Sequence, residues 1–510
     1  MKKGKVYLIG AGPGDPGLIT LKGIECIRQA DVVVYDYLAN VKLLEYARED
    51  AELIYVGKKG GDHTYPQSQI NSIVIEKANE GKVIARLKGG DPFMFGRGGE
   101  EAEELAASGL RFEIVPGVTS AISVPAYAGI PLTHRDYASH VAFITGHEDP
   151  TKDESSMAWD KIATGVGTLV FLMGGKNLPQ IVKNLIENGR DPKTPIALIR
   201  WGTLTKQNTL IGTLETIVEL ASKNNVTPPV ITVVGEVVKL RDKLNWFETK
   251  PLFGKRILVT RAREQASEFS NLLREYGAEP IEFPTIDIGP PDSFDALDRA
   301  IENLERYDWL ILTSVNGVRF FIERLKVRGR DIRDLKGIKT CAIGPRTAQE
   351  IEKLGIKVDF IPQEYKAEAI VEGLRREGIE GKNVLLPRAE KAREVLPEQI
   401  RHSGGNIDVV AAYKSLKALK DREPIKKLLK EGAIDVITFT SSSTVTNFAE
   451  AFDGDKLPVL MRGVTTASIG PITAETAKKL GIETDIMPKS YTIPALAEAI
   501  VSYFSEKRLD

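Results

Sequence analysis

Along this chain, short runs of β-branched and other apolar residues alternate with stretches whose apolar positions recur at helical spacing. That rhythm predicts α/β architecture from end to end. In the first half the runs are Val6–Ile9, Val32–Tyr35, Val83–Leu87, Val141–Thr145, Leu169–Met173 and Ile196–Ile199. Between the first two, Leu18, Leu21, Ile24 and Ile27 recur every third residue and predict one buried helical face. The segment Pro131–Asp136 breaks the rhythm and reads as a hinge between two subdomains, about 1–136 and 137–240. A second break, Arg241–Gly254, combines charges with Trp246-Phe247 and Pro251, and Lys255–Thr260 then opens a new strand.

The second half repeats itself over a long period. Asp308-Trp309-Leu310-Ile311-Leu312-Thr313-Ser314 echoes Asp435-Val436-Ile437-Thr438-Phe439-Thr440-Ser441, and Ile343-Gly344-Pro345-Arg346-Thr347-Ala348 echoes Ile469-Gly470-Pro471-Ile472-Thr473-Ala474. Leu354-Gly355-Ile356 matches Leu480-Gly481-Ile482, Tyr365 matches Tyr491, and Gly254…Arg261 has a counterpart in Gly381…Arg388. A repeat this long is not a solenoid unit; it predicts two similar α/β domains with a cleft between them.

Bulk composition narrows the class. With 510 residues the chain exceeds one ordinary hydrophobic core and predicts three or four packed units. Lys+Arg (69) and Asp+Glu (70) nearly cancel, which argues against a global nucleic-acid or polybasic membrane footprint. The two cysteines, Cys26 and Cys341, are far apart in sequence, so a reducing compartment is expected and a disulfide framework is not. Five histidines without a paired ligand motif give no support for zinc or another metal. The opening MKKGKVYLIGAG is too short in its apolar part for a signal peptide, and no run reaches the ~18 apolar residues of a membrane helix. These features predict a soluble, cytoplasmic protein.

Candidate chemistry gathers at loops after strands. Gly10-Ala11-Gly12-Pro13-Gly14-Asp15 invites a dinucleotide-fold reading, with Asp36 as ribose acid, but Asp15 stands where the third glycine belongs. Pro13 also removes an N–H that a phosphate needs. A tight turn without ligand is the other reading. The run Gly89-Gly90-Asp91-Pro92-Phe93-Met94-Phe95-Gly96-Arg97-Gly98-Gly99-Glu100-Glu101 is more specific: paired glycines allow close ligand approach, and Asp91 offers an acceptor.

Together with Val6–Pro16, Ala30–Asp36, Val56-Gly57-Lys58, Val115–Ser120 and Gly129–Arg135, this run resembles the uroporphyrinogen-III methyltransferases of the tetrapyrrole methylase family. The resemblance covers about 1–245. It implies a two-subdomain fold with S-adenosyl-L-methionine folded in the cleft, contacted by Pro13, Gly89, Gly90, Asp91, Met94, Thr119, Ser120, Met173 and Gly202. It makes Asp36 the proton acceptor and Lys58 the proton donor in methyl transfer to pyrrole carbons, with no metal needed. A strand-terminal turn aspartate, a surface lysine and a core methionine are the plainer readings of Asp36, Lys58 and Met173. For a substrate with eight carboxylates, Arg97 and Arg135 are the candidate guanidinium partners, unless they pair locally with Glu100 and Asp136. The family also implies a homodimer.

Residues 254–510, after a linker at 246–253, are similar to uroporphyrinogen-III synthase through Val259-Thr260-Arg261, the two Thr-Ser loops, the two Gly-Pro-x-Thr loops and Ala412-Tyr413. That family's layout implies two flavodoxin-like lobes, one of 254–285 plus 414–510 and one of 287–412. Phe283–Ile286 and Val409–Tyr413 would be the linker strands. Tyr413 is then placed near the hydroxyl that leaves hydroxymethylbilane, and Thr347, Ser441 and Thr473 on the cleft, where they would meet carboxylates at helix starts. Packing explains Tyr413 otherwise, and helix capping explains Thr347 and Thr473. The implied whole is a bifunctional enzyme that cyclises hydroxymethylbilane to uroporphyrinogen III and methylates it twice to precorrin-2. The alternatives are a methyltransferase of the same fold acting on another tetrapyrrole, with a rear half that only binds, and a nicotinamide-dependent oxidoreductase.

Overall fold

The computed structural model describes residues 3–57, 65–147, 157–261, 263–362, 367–392, 394–417, 422–452 and 457–507. The chain divides into two compact units, Met1–Lys255 with Arg274–Glu279, and Arg256–Leu273 with Pro280–Asp510.

The first unit holds two sheets. Strands β1 (Lys5–Gly10), β2 (Val32–Tyr35), β3 (Glu52–Tyr55), β4 (Val83–Lys88) and β5 (Arg111–Val115) form a sheet of order β3-β2-β4-β1-β5. All its pairings are parallel. Helices cover both faces, so nearly every position of a strand is apolar. Val6, Leu8, Val32, Val34 and Ile84 enter the core on one face, and Ile9, Val33, Ala85 and Leu87 enter the other. Among the buried positions of these strands, the charged exceptions are Arg86 and Lys88.

The expected helical face between β1 and β2 is corrected. Leu18 closes a short 3-10 turn, and the helix Leu21–Gln29 buries Gly23, Cys26 and Ile27 while Leu21 is 80% exposed. Steps of three residues fall 60° short of a full turn each time, so a run of threes walks off the face; the i, i+3, i+4 set stays on it.

The second sheet contains β6 (Val141–Thr145), β7 (Thr168–Leu172), β8 (Pro195–Arg200), β9 (Asn208–Thr213) and β10 (Val230–Val234), in the order β6-β7-β10-β8-β9. Only β6 and β7 pair in parallel; the other neighbours are antiparallel. It too is apolar on both faces, with Val170, Leu172, Ala197 and Ile199 on one side and Leu169, Phe171, Ile196 and Leu198 on the other.

The segment expected as a linker, 246–253, is instead packed into this unit. Phe247 and Leu252 are buried, and Tyr127 meets both Trp246 and Phe247 edge-on. The Glu248 carboxylate accepts from Arg241 Nη2 at 2.5 Å, Thr209 Oγ1 at 2.6 Å and Gln207 Nε2 at 2.8 Å. Aromatic residues without periodicity read as a break in the sequence because they cap a finished core and do not form a new element.

The second unit contains the repeat. Strands β11 (Arg256–Val259), β12 (Glu279–Glu282), β18 (Val436–Phe439) and β19 (Thr465–Ser468) form one sheet, order β12-β11-β18-β19. Between them in sequence lie β13 (Ile286–Gly289), β14 (Trp309–Leu312), β15 (Lys339–Ala342), β16 (Asn383–Ala389) and β17 (Asn406–Lys417), a sheet of order β13-β17-β16-β14-β15. The repeat extends to single hydrogen bonds. Asp308 and Asp435 each sit before a strand and accept from the N–H that opens a neighbouring one, Asn383 and Arg256. Thr340 and Thr466 each donate a hydroxyl to a carbonyl seventeen residues on, Lys357 and Glu483, while Asp359 and Asp485 accept from their N–H groups.

The two strands that pair as a ribbon lie a little further along the chain than the synthase resemblance implied. Val409, Val410 and Tyr413 pair in parallel with β16, inside the sheet. The antiparallel pairing with β13 runs over Lys414–Lys417 instead. Val409–Tyr413 alternates as an ordinary buried strand, and only the polar end beyond it is available for a two-stranded ribbon.

Candidate active sites

In the first unit, the loops that leave the C-terminal ends of β1, β2, β4, β7 and β8 surround a cavity of about 700 Å³. This is where α/β sheets place ligands. Pro13, Gly89, Gly90, Met94, Thr119, Ser120, Met173 and Gly202 all line it.

Glycine contacts shape its floor. A Cβ on Gly10 would lie 2.4 Å from Gly117 Cα and 2.7 Å from the Gly90 carbonyl oxygen, so three loops meet backbone to backbone. Gly12 and Gly90 exchange hydrogen bonds across the meeting point at 3.2 and 2.7 Å. Asp91 lies behind the lining. Its Oδ1 accepts from Phe93 N–H at 2.8 Å and its Oδ2 from Gly117 N–H at 2.9 Å, fastening the glycine loop to the loop before the helix Ser120–Tyr127. Thr119 caps that helix, accepting from Ala121 N–H.

Strain concentrates here. Of the six non-glycine residues with positive φ among the described residues, Phe95, Met173 and Trp201 line the cavity, and Arg97 and Thr203 lie in the same loops. Left-handed backbone in bulky residues is costly and persists where the surroundings over-determine it, most often at ligand sites. Gly202 is held between Trp201 and Thr203, and a Cβ there would meet the Val124 side chain at 2.3 Å.

Asp15, the residue that spoiled the dinucleotide pattern, is a structural fastener. Its carboxylate accepts from Gly17 N–H and from the Tyr127 hydroxyl, both at 2.8 Å, and its N–H donates to Thr203 Oγ1. Burial and this bond push the Tyr127 phenol well above its usual range.

Asp36 ends β2 beside the cavity residue Tyr37. Its Oδ1 accepts from Leu38 N–H at 3.0 Å and its Oδ2 faces both Nη atoms of Arg86 at 3.4 Å. Lys58 lies outside the described residues. Arg97 is exposed and paired with Glu100 through Nε at 3.0 Å and Nη2 at 2.5 Å, which raises its pKa. The local pair therefore forms in this structure. Arg135 is exposed in the turn closed by His134 and Ala138. Neither arginine lines the cavity.

Sequence reading missed Tyr37, Trp201 and Lys206 on the cavity wall, where the Lys206 ammonium lies 3.5 Å from the Trp201 ring centroid. Nothing in their spacing marks them, since each stands in a loop. It also missed the buried Arg86–Lys88–Glu101 group, for which a signal existed: two cations at i, i+2 in an otherwise apolar strand.

In the second unit, Tyr413 is 9% exposed and belongs to a core with Leu310, Leu312 and Val318. Phe320 stacks on it at 5.8 Å between ring centroids, and its hydroxyl meets Ser314 Oγ at 2.9 Å. Burial raises the phenol pKa, while the Ser314 bond pulls it back. Ser314 Oγ also accepts from Gly317 N–H, capping the helix Val315–Val327.

The capping roles differ from expectation. Thr347 and Thr473 are buried in the first turns of their helices, whose N-caps are Gly344 and Gly470. Ser441 is the cap, in a reciprocal box with Thr444. The Ser-x-x-Thr spacing carries the box, and proline at the first helical position leaves the glycine before it as the cap. Arg346 donates to Glu268 at 2.6 Å, and Arg261 is pushed down to about 10 by burial and by Arg346. Cys26 and Cys341 are buried free thiols. Among the described residues no cluster of three or more His, Cys, Asp or Glu could hold a metal, and no helix is long and apolar enough to cross a membrane.

Comparison with known proteins matches both units. The family model of tetrapyrrole (corrin/porphyrin) methylases matches residues 5–218, and that of uroporphyrinogen-III synthase HemD matches 267–498. A porphyrin biosynthesis protein HemD of Ruminiclostridium josui is 38% identical over 501 residues, 98% of each chain. An S-adenosyl-L-methionine-dependent uroporphyrinogen III methyltransferase of Methanosarcina barkeri is 54% identical over 241 residues, 47% of this chain and 94% of that one. Among solved structures, the Thermus thermophilus uroporphyrin-III C-methyl transferase complexed with S-adenyl homocysteine is 39% identical, with a TM-score of 0.40, covering 46% of this chain and all of that one. The resemblance first drawn from the loop motifs is borne out, and the chain belongs to the tetrapyrrole methylases over its first part and to the uroporphyrinogen-III synthases over its second.

Proposed function

We propose that this bifunctional tetrapyrrole-biosynthesis chain performs two consecutive steps: closure of hydroxymethylbilane to uroporphyrinogen III, then two methylations of that product to precorrin-2. The observation that carries this reading is the presence of both families on one chain, in an arrangement shared with a relative along 98% of its length.

The methyl donor is S-adenosyl-L-methionine, which supplies an electrophilic methyl group on a sulfonium. The fit rests on the cavity: about 700 Å³, with backbone exposed at Gly89 and Gly90 for polar recognition and Met173, Leu172 and Ile231 as apolar wall. A ligand of this size suits such a volume. Pro13, Gly89, Gly90, Met94, Thr119, Ser120, Met173 and Gly202 would hold it, and Asp91 would keep two of the loops in place.

Asp36 stands beside the cavity as an acceptor for the proton released when a pyrrole carbon is methylated. Lys58 is the proposed donor. Arg97 and Arg135 would take substrate carboxylates, Arg97 by exchanging Glu100 for a substrate carboxylate. In the second unit, Ser314 Oγ accepts from Gly317 and meets the Tyr413 hydroxyl; with the serine O–H as donor in that pair, the phenol proton would face the leaving hydroxyl. Arg261 and Arg346 supply positive charge suited to a polycarboxylate. Thr347, Ser441 and Thr473 are proposed substrate contacts.

The proposed division is a methyltransferase over 1–255, which takes in the packed segment 246–253, and a synthase over 256–510, with its lobes at 256–285 plus 414–510 and at 287–412. A homodimer formed through the front half and a cytoplasmic location complete the reading. Supplying each substrate separately tests it: uroporphyrinogen III should accept labelled methyl groups, and hydroxymethylbilane should be cyclised without any methyl donor. Failure of one reaction would assign that half a binding role only.

A further inference from the structure

The helix–sheet interface behind β4 contains ionisable groups that the methyl-transfer reading does not use. Arg86 and Lys88 project from the same face of β4 toward the helix Gly98–Ala107, and their side chains are 3% and 6% exposed. Glu101, equally buried, lies between them: its Oε1 accepts from Lys88 Nζ and from Gln67 Nε2, and its Oε2 is 3.6 Å from Arg86 Nε. The other end of Arg86 donates to the Leu87 carbonyl oxygen at 2.7 Å and reaches Asp36 Oδ2 with both Nη atoms at 3.4 Å. The row therefore runs Lys88, Glu101, Arg86, Asp36, with alternating sign, and it ends beside the cavity residue Tyr37.

Burying such a row is costly. Well-packed apolar residues of equal volume often stabilise a protein as well or better, so the charges are weak evidence of a stability role. Their order suggests another role. One guanidinium is shared between an anion sealed in the interface and an anion at the active site, and Glu101 tempers the positive charge that Asp36 experiences. Burial, followed by the charge of Arg86, also lowers the pKa of Lys88, so the neighbouring cations affect one another.

We infer that Arg86 is a positioning residue for methyl transfer, holding the Asp36 carboxylate aimed, with Glu101 fixing the guanidinium that does so. This deepens the proposed role of Asp36 and rests on it. Among the described residues, the titratable groups near Asp36 are Tyr35 and Tyr37 on its own segment, Tyr55 on β3, Arg86 and Lys88 on β4, and Glu101 on the facing helix. Among the described residues, only Arg86 makes an ion pair with Asp36. Removing it takes away the one cation that faces the Asp36 Oδ2, so the carboxylate is free to turn from the direction it now holds.

The test separates turnover from binding in the full-length chain, with supplied uroporphyrinogen III and S-adenosyl-L-methionine. Arg86→Gln should lower the methylation kcat by about tenfold or more, while S-adenosyl-L-methionine affinity stays within twofold. Arg86→Lys, which keeps a cation facing the carboxylate, should recover most of that rate. Glu101→Gln, which loosens the other end of the guanidinium's setting, should lower kcat with affinity kept, and it keeps the test decisive if Arg86→Gln does not fold. An unchanged kcat in a folded Arg86→Gln chain, no recovery in Arg86→Lys, or an unchanged kcat in Glu101→Gln overturns the inference. Asp36→Asn with unimpaired methylation instead removes the role of Asp36 itself, whatever the Arg86 and Glu101 variants show.

Discussion

Asp91→Ala offers the clearest separation of holding a ligand from transforming it. The carboxylate accepts two backbone N–H bonds, one from Phe93 in its own loop and one from Gly117 in the next. A hydrogen bond to a charged acceptor contributes about 1.5–3 kcal/mol. The Phe93 bond is exposed, so water can replace it, whereas the Gly117 bond is partly buried and is lost outright. The combined loss is then about 2–4 kcal/mol. It falls on the geometry of the loops around the cavity rather than on the sheet, which keeps its apolar faces. Spread over binding, it corresponds to about 30- to 700-fold weaker affinity for S-adenosyl-L-methionine. Asp91→Asn keeps the shape but turns an NH₂ toward one of two donors, so it should recover at most part of the loss. Calorimetric titration with S-adenosyl-L-methionine, beside a thermal melt, measures both effects. Affinity within threefold of wild type in Asp91→Ala would show that the loops hold their form without the carboxylate and would refute this reasoning.

Three further substitutions and one truncation extend the account. Asp36→Asn should abolish most methylation with affinity for the methyl donor nearly unchanged; the reverse pattern would make Asp36 a ligand contact. Tyr413→Phe should slow formation of the type III isomer by about a hundred- to a thousandfold, the loss of one donor in a closed site. Methylation of supplied uroporphyrinogen III should not change, and a near-normal isomer rate would make Tyr413 a packing residue. Glu248→Ala leaves Arg241 buried without its carboxylate and should cost about 3–5 kcal/mol of stability, read as a lower denaturant midpoint; an unchanged midpoint would refute the buried network. A fragment ending at Lys255 should be soluble and bind S-adenosyl-L-methionine, while one ending at Asn245 should not, because it lacks Phe247, Glu248 and Leu252. Equal behaviour of the two fragments would mean that this segment is dispensable.

Much of the architecture was legible because both sheets of the first unit are buried on two faces. Their central strands, such as Val32–Tyr35 and Ile196–Ile199, appear as unbroken apolar runs. The repeat of the second unit was legible for a related reason: Asp308 and Asp435 open equivalent strands, and the Gly-Pro pairs open equivalent helices. What stayed hidden depends on contacts distant in sequence. The Asp91 bond to Gly117, the packing of Phe247 on Tyr127 and the link from Asp36 through Arg86 to Glu101 join residues that no local pattern connects. Capping was misjudged at Thr347 and Thr473 because a threonine near a helix start looks alike at the cap and two residues inside it. The cavity wall at Tyr37, Trp201 and Lys206 comes from three loops, and only the fold brings those loops together.

The central claim is that one chain carries two consecutive reactions. Incubating it with hydroxymethylbilane and S-adenosyl-L-methionine, then resolving the products by isomer and by mass, tests both at once. The expected product is a type III macrocycle that has gained two methyl groups. Type I product, which forms without a synthase, or a type III product with no added methyl group, would contradict it.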